Sequence, residues 1–153
     1  MADTPSNADV PAPAISDALH TTLDMSFEDG IPYVQVEHEL AGFETVTRTR
    51  LDRMVRGALD EEIPRTALLI VCHAEVARDV LAIDPTLAGL LPCTTVIYET
   101  PTDDVIHVHH ISAGKTIRDL DSVPDTDDAE ALVDLTAELM TEVWRHLDTT
   151  AAE

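Results

Sequence analysis

The chain is poor in most of the features that advertise a function. Cysteine occurs only twice, as Cys72 and Cys93, in 153 residues. That is too few for the disulfide framework of a small secreted domain, so both read as reduced thiols of a cytoplasmic protein. Basic residues are scarce: nine Lys and Arg face thirty Asp and Glu, for a formal net charge of −21, and Lys115 is the single lysine. A chain without a basic face is not expected to bind nucleic acid. No apolar run approaches the roughly 20 residues of a membrane span. Met1–Ser16 also lacks the basic start and apolar stretch of a signal peptide. Neither a membrane nor nucleic acid is therefore an expected partner. Also missing are a Gly-rich phosphate loop, Gly-x-Ser-x-Gly, Cys-x-x-Cys and His-Glu-x-x-His, the patterns that would point to familiar phosphate, hydrolase, redox or metalloprotease chemistry.

What remains is enough for a folded core. The hydrophobic content is 44% and the length suits one domain. The acidic residues are spread over the chain rather than gathered in a tail. Dense Asp and Glu, with Arg in place of Lys, is the pattern of a halophilic protein kept soluble at molar salt, where the Debye length falls to about 3 Å. The charge describes the solvent rather than the activity.

Along the chain, residues 1–17 read as a disordered acidic tail with three prolines, residues 18–148 as one domain and 149–153 as a C-terminal tail. Leu19, Thr21, Leu23 and Met25 alternate with polar residues, as in a half-buried strand. The segment Ile31–Ala41 fits either period, and helix is favoured: Asp29 or Gly30 can cap it, Pro32 suits a first turn and Gly42 a left-handed end. Phe43–Arg48 reads as a strand. Leu51, Met54, Val55, Ala58 and Leu59 have the spacing of an amphipathic helix. Ala67–Cys72 is a continuous apolar run, as in a central strand buried on both faces. A short helix face through Val76, Val80 and Ile83 stops at Pro85. Pro92–Glu99 and Val105–Ser112 form a hairpin around Pro101-Thr102-Asp103-Asp104. Ala113–Pro124 reads as a loop, and Leu132, Leu135, Leu139, Val143 and Leu147 mark a last helix. The order βαβαβαββα predicts an α+β two-layer sandwich, a mixed sheet of about five strands with helices on one side.

Three stretches carry a family resemblance: Cys72-His73-Ala74-Glu75-Val76-Ala77, then Asp84-Pro85, then Gly89-Leu90-Leu91-Pro92-Cys93-Thr94-Thr95-Val96-Ile97-Tyr98-Glu99. Together with Gly42-Phe43 they resemble the domain-of-unknown-function family numbered 302 over residues 19–148. The family pattern has a Cys-Asn-Pro step where this chain has Cys72-His73-Ala74. The resemblance implies a compact α/β domain and a homodimer. It brings no activity, substrate or cofactor.

The chemistry-bearing candidates are few. Cys72 is expected where a buried strand turns into a helix, a position that favours thiolate, with His73 beside it. A buried cysteine that only packs fits the same placement. Cys93 follows the strand-opening Pro92. If the two cysteines lie on neighbouring strands, Cys72, His73 and Cys93 form a ligand site, a metal site or a redox pair. In Ile106-His107-Val108-His109-His110-Ile111, alternation puts His107 and His109 on one face and His110 on the other. His107 and His109 can share a metal ion, with Cys93 as a further ligand only if the hairpin register allows it. Asp103-Asp104 reads as a solvated hairpin tip, and Met140 and Trp144 as core or dimer interface. Three readings follow: a cytosolic domain binding a small ligand or metal ion near Cys72 and Cys93; a thiol-dependent redox or detoxification enzyme with Cys72 as nucleophile and Cys93 resolving; or a structural protein whose cysteines only pack.

Overall fold

In the computed structural model, residues 19–111 and 126–151 are described, with side chains as far as residue 148. The N-terminal tail expected over 1–17 and the loop expected over 113–124 lie outside them. Five strands form one sheet in the order β1-β5-β4-β3-β2: β1 Leu19–Leu23, β2 Phe43–Arg50, β3 Thr66–His73, β4 Cys93–Glu99 and β5 Ile106–Ile111. Among the described residues four α-helices accompany it: α1 Phe27–Leu40, α2 Leu51–Leu59, α3 Ala74–Ile83 and α4 Asp127–Ala151. A short 3₁₀ helix, Pro85–Leu90, follows α3. The expected element order and two-layer α+β class are found. The sheet is not mixed, because every neighbouring pair is antiparallel. Strands β1 and β2, joined through α1, do run parallel, but β5, β4 and β3 lie between them. α4 also reaches into the segment expected to be a C-terminal tail.

α1 begins a turn earlier than its sequence suggests. Ser26 caps it, its hydroxyl accepting from the Asp29 N–H at 3.1 Å, and Phe27 joins Ile31 and Val34 on the buried side. Pro32 therefore sits in the second turn, on the exposed side. Gly42 ends the segment at φ +93°, the left-handed backbone that favours glycine. Gly30 meets a different constraint: a Cβ there would run into Ile106 Cδ1 of β5, so that side-chain tip would have to move.

Strand burial alternates, and this locates the core. Ala67, Leu69 and Val71 of β3, Cys93, Thr95 and Ile97 of β4, and Ile106, Val108 and His110 of β5 are buried. They face Phe27, Ile31 and Val34 of α1 and Met140, Val143, Trp144 and Leu147 of α4. Each fully buried large side chain contributes about 1.5–3 kcal/mol relative to exposure. α3 adds a second cluster, Val76 and Val80 with Leu87 and Leu132. Leu68, Ile70 and Cys72 on the other face of β3 are only half-buried, so the strand is covered on one side rather than two. α2 forms as its periodicity predicts, yet none of its residues is buried. Periodicity made the helix, and its apolar side is covered only in part: Leu51 and Val55 are half-buried while Met54 and Leu59 stay exposed.

Candidate functional site

The register between β3 and β4 decides the cysteine question. Val71 lies opposite Cys93. Cys93 thus shares the core face with Val71 and is 6% exposed, while Cys72, one residue further on, points to the open face. The sheet separates the two sulfurs, and the pair proposed from the sequence is not brought together. His73 turns inward again: its ring meets Phe43 edge-on at 5.3 Å, and its buried Nδ1 has no hydrogen-bond partner among the described residues. Cys72 and His73, adjacent in sequence, therefore face opposite ways. The expected activation of Cys72 is also missing. Burial pushes its thiol above the usual range, and the Glu44 carboxylate, opposite it on β2, pushes further in that direction.

His107 and His109 do share the open face, but Cys93 lies on the other. Their companion is His20, placed opposite His109 by the pairing of β1 with β5. His20 Nδ1 lies 3.2 Å from His109 Nδ1, and His20 Nε2 lies 3.3 Å from His107 Nδ1. His107 Nε2 is 3.0 Å from Asp103 Oδ2, and the His107 ring stacks on Tyr98 at 4.9 Å and 14°. One set of neutral tautomers satisfies every contact. His107 Nε2–H donates to Asp103, His20 Nε2–H donates to His107 Nδ1, and His109 Nδ1–H donates to His20 Nδ1. The single lone pair left over belongs to His109 Nε2.

The electrostatics agree with neutral rings at His20 and His109. Desolvation lowers His20 first, and the charges that His109 and His107 would carry lower it further. Desolvation alone lowers His109. At the other end, the hydrogen bond from His107 holds the Asp103 carboxyl below its ordinary range. Asp103 is therefore more than a solvated tip. Among the described residues no group of three or more His, Cys, Asp or Glu side chains is arranged to hold a metal ion. The His20 ring turns a different nitrogen to each neighbour, so the three imidazoles form a chain rather than a convergent set.

A second polar chain lies in the core, on the opposite face. His38 Nδ1–H donates to the Val34 carbonyl at 2.8 Å, and Thr95 Oγ1 bridges His38 Nε2 at 3.0 Å to His110 Nδ1 at 2.8 Å. All three side chains are completely buried. The tautomers are fixed here as well: Thr95 donates to His38, and His110 Nδ1–H donates to Thr95. His110 Nε2, an acceptor, and Trp144 Nε1–H, a donor, are left without partners among the described residues. Burial drives both histidines down, His110 to about 3, where the charges of His38 and His109 would add to the effect.

Sequence reasoning gave no functional role to His20, His38 or Asp103. A signal existed for two of them. His20 stands at a polar position of an alternating strand, and His38 shares a helical face with Ile31 and Val34.

The family model "Domain of unknown function DUF302" matches residues 19–144. Among solved structures, the chain is similar to the "uncharacterized conserved protein DUF302 from Bacillus stearothermophilus", with a TM-score of 0.71 at 14% identity. The alignment covers 88% of this chain and 98% of that one, and at this identity it speaks for the fold alone. No match is found among curated proteins. No helix among the described residues is long and apolar enough to cross a membrane.

Proposed function

The chain belongs to the DUF302 family, and we propose that it binds a small ligand on the open face of its sheet, at the His109 end of the Asp103–His107–His20–His109 chain. One observation carries the reading: a single set of tautomers satisfies every link and leaves one acceptor without a partner among the described residues, His109 Nε2. A ligand that donates a hydrogen bond or gives up a proton suits this acceptor. A proton taken up at Nε2 lets His109 pass its Nδ1 proton to His20 and His20 its Nε2 proton to His107, whose Nε2–H stays donated to the Asp103 carboxylate. The positive charge is spread towards a carboxylate, and no atom is gained or lost along the chain.

The spacing of the ring nitrogens supports a second reading, metal binding by His107 and His109, with His20 in the place first expected for Cys93. In a tetrahedral site with metal–nitrogen bonds of about 2.0–2.1 Å, neighbouring donors stand about 3.3 Å apart. The two imidazole contacts measure 3.2 and 3.3 Å. Only two donors meet at either point, so such a site needs a turned ring or ligands from outside the chain.

A site shared by Cys72, His73 and Cys93 has the opposed side chains against it, and a thiol enzyme has the raised Cys72 against it. The homodimer implied by the resemblance is part of the proposal, and light scattering tests it.

Side-chain nitrogen NMR tests both site readings. On titration with phenols, thiols and carboxylic acids, the His109 Nε2 resonance is expected to move first, and Asp103→Asn to weaken that response. Zinc that shifts His20, His107 and His109 together at a stoichiometry of one supports the metal reading instead. If neither set of ligands moves these rings, both readings fail.

A further inference from the structure

The scarce basic residues are not evenly spread: Arg48, Arg50, Arg53, Arg56 and Arg65, five of the nine, fall within one short stretch. Three of them, Arg48, Arg50 and Arg53, line a groove of about 750 Å³ between the start of α1 and the corner where β2 runs into α2. Glu28, Ile31, Pro32, Thr49 and Ala67 complete the lining. The groove therefore sets three guanidinium groups against one carboxylate, in a chain of net charge −21.

The arginines have different roles. Arg50 is fixed: it makes two hydrogen bonds to Asp52, at 2.9 and 2.8 Å, reaches Glu28 at 3.1 Å, and lies 4.6 Å over the Phe27 ring. Its pairing with two carboxylates neutralises its charge and fixes it as a wall of the groove, which leaves Arg48 and Arg53 as the cations open to a ligand. Arg53 is different, having no hydrogen bond or ion pair among the described residues. Arg48 is exposed, and the carboxylate whose charge it influences is Glu39. In a chain with thirty acidic residues, Arg53 thus brings to the groove a guanidinium that no carboxylate among the described residues pairs. The floor is apolar, with Ile31 and Ala67 buried beneath it.

We propose that this groove binds a small organic anion, a carboxylate attached to an apolar body, with Arg48 and Arg53 gripping the charged head and Ile31, Pro32 and Ala67 receiving the body. The site is at the β2 edge of the sheet, and the histidine chain is at the β1 edge, so the two are independent.

Titration of isotopically labelled protein with benzoate, benzamide and inorganic phosphate, followed by backbone amide NMR, tests this. Benzoate is expected to move Thr49, Arg53 and Ala67. Benzamide, without the charge, and phosphate, without the apolar body, are each expected to bind at least roughly tenfold more weakly. Arg53→Gln and Arg48→Gln both change exposed side chains, so their spectra should stay native outside the groove. Each should weaken benzoate roughly tenfold. Benzamide or phosphate binding as tightly as benzoate, or benzoate unaffected by either substitution, overturns the proposal.

Discussion

Val71 and Cys93 face each other across β3 and β4, and this one pairing puts Cys72 on the opposite side of the sheet from Cys93. A disulfide between them would need a sulfur to pass through a hydrogen-bonded sheet. Mild oxidation of the native protein should therefore leave both thiols without an internal bridge, as intact mass before and after treatment will record. Cys72, raised by burial and by Glu44, should react with a disulfide reagent only as the pH climbs past the midpoint of an ordinary cysteine. Glu44→Gln removes the like charge and should bring that midpoint down. A Cys72 that reacts fully at neutral pH would show this account of its surroundings to be mistaken.

The histidine chain predicts a pattern of titration. His20 and His109 are both lowered, so each should protonate at a pH below that of a histidine in a peptide. His109→Ala removes a neighbour that depresses His20, and the His20 midpoint should rise in response. Nitrogen shifts should report His107 and His20 as Nε2–H tautomers and His109 as Nδ1–H. The opposite tautomer at His20 would break both of its contacts and with them the relay.

Much of the architecture was legible because it is local. The Gly42 helix end, the alternation through 106–111 and the stripe of α4 each depend on neighbours in sequence. The site was less legible because it depends on strands far apart. Nothing near His20 says that β1 will lie beside β5 and bring that ring against His107 and His109. The cysteines failed for a related reason: a shift of one residue in the β3–β4 register reverses the face on which Cys93 appears. Asp103 sits in a turn whose polarity reads as solvation, and only the hairpin geometry turns its carboxylate towards His107. α2 marks another limit, since an apolar stripe specifies a helix without specifying what lies against it.

The buried chain His38–Thr95–His110 should make stability depend on pH. The unfolded chain takes up protons at these histidines near pH 6.5, whereas the folded state refuses them, His110 down to about 3. Their contribution is complete above pH 6.5 and is lost as the pH falls towards the folded values. From His110 alone the loss between pH 6.5 and pH 5 is roughly 1–2 kcal/mol. Urea unfolding at a series of pH values measures it. His110→Gln should lower stability throughout, but with a shallower slope over the same interval. Parallel profiles for the two proteins would mean that His110 is not held neutral. Thr95→Val, which removes the bridging hydroxyl from two buried rings, should cost about 1–3 kcal/mol at every pH.

Gly30 and Ile106 offer the sharpest test of the packing between α1 and β5. In an exposed helix, Gly→Ala stabilises by about 1 kcal/mol, because alanine loses less backbone entropy. At Gly30 the added methyl would meet Ile106 Cδ1, which is buried and held by the sheet, so Gly30→Ala should be destabilising instead. Ile106→Val removes that Cδ1 atom at a cost of about 0.5–1.5 kcal/mol. The two changes should not add. In the Ile106→Val background, Gly30→Ala should recover most of its intrinsic helix preference and bring the double variant close to, or above, Ile106→Val alone. Chemical denaturation of the four proteins closes the cycle. Strict additivity would mean that α1 and β5 do not meet at Gly30 and Ile106.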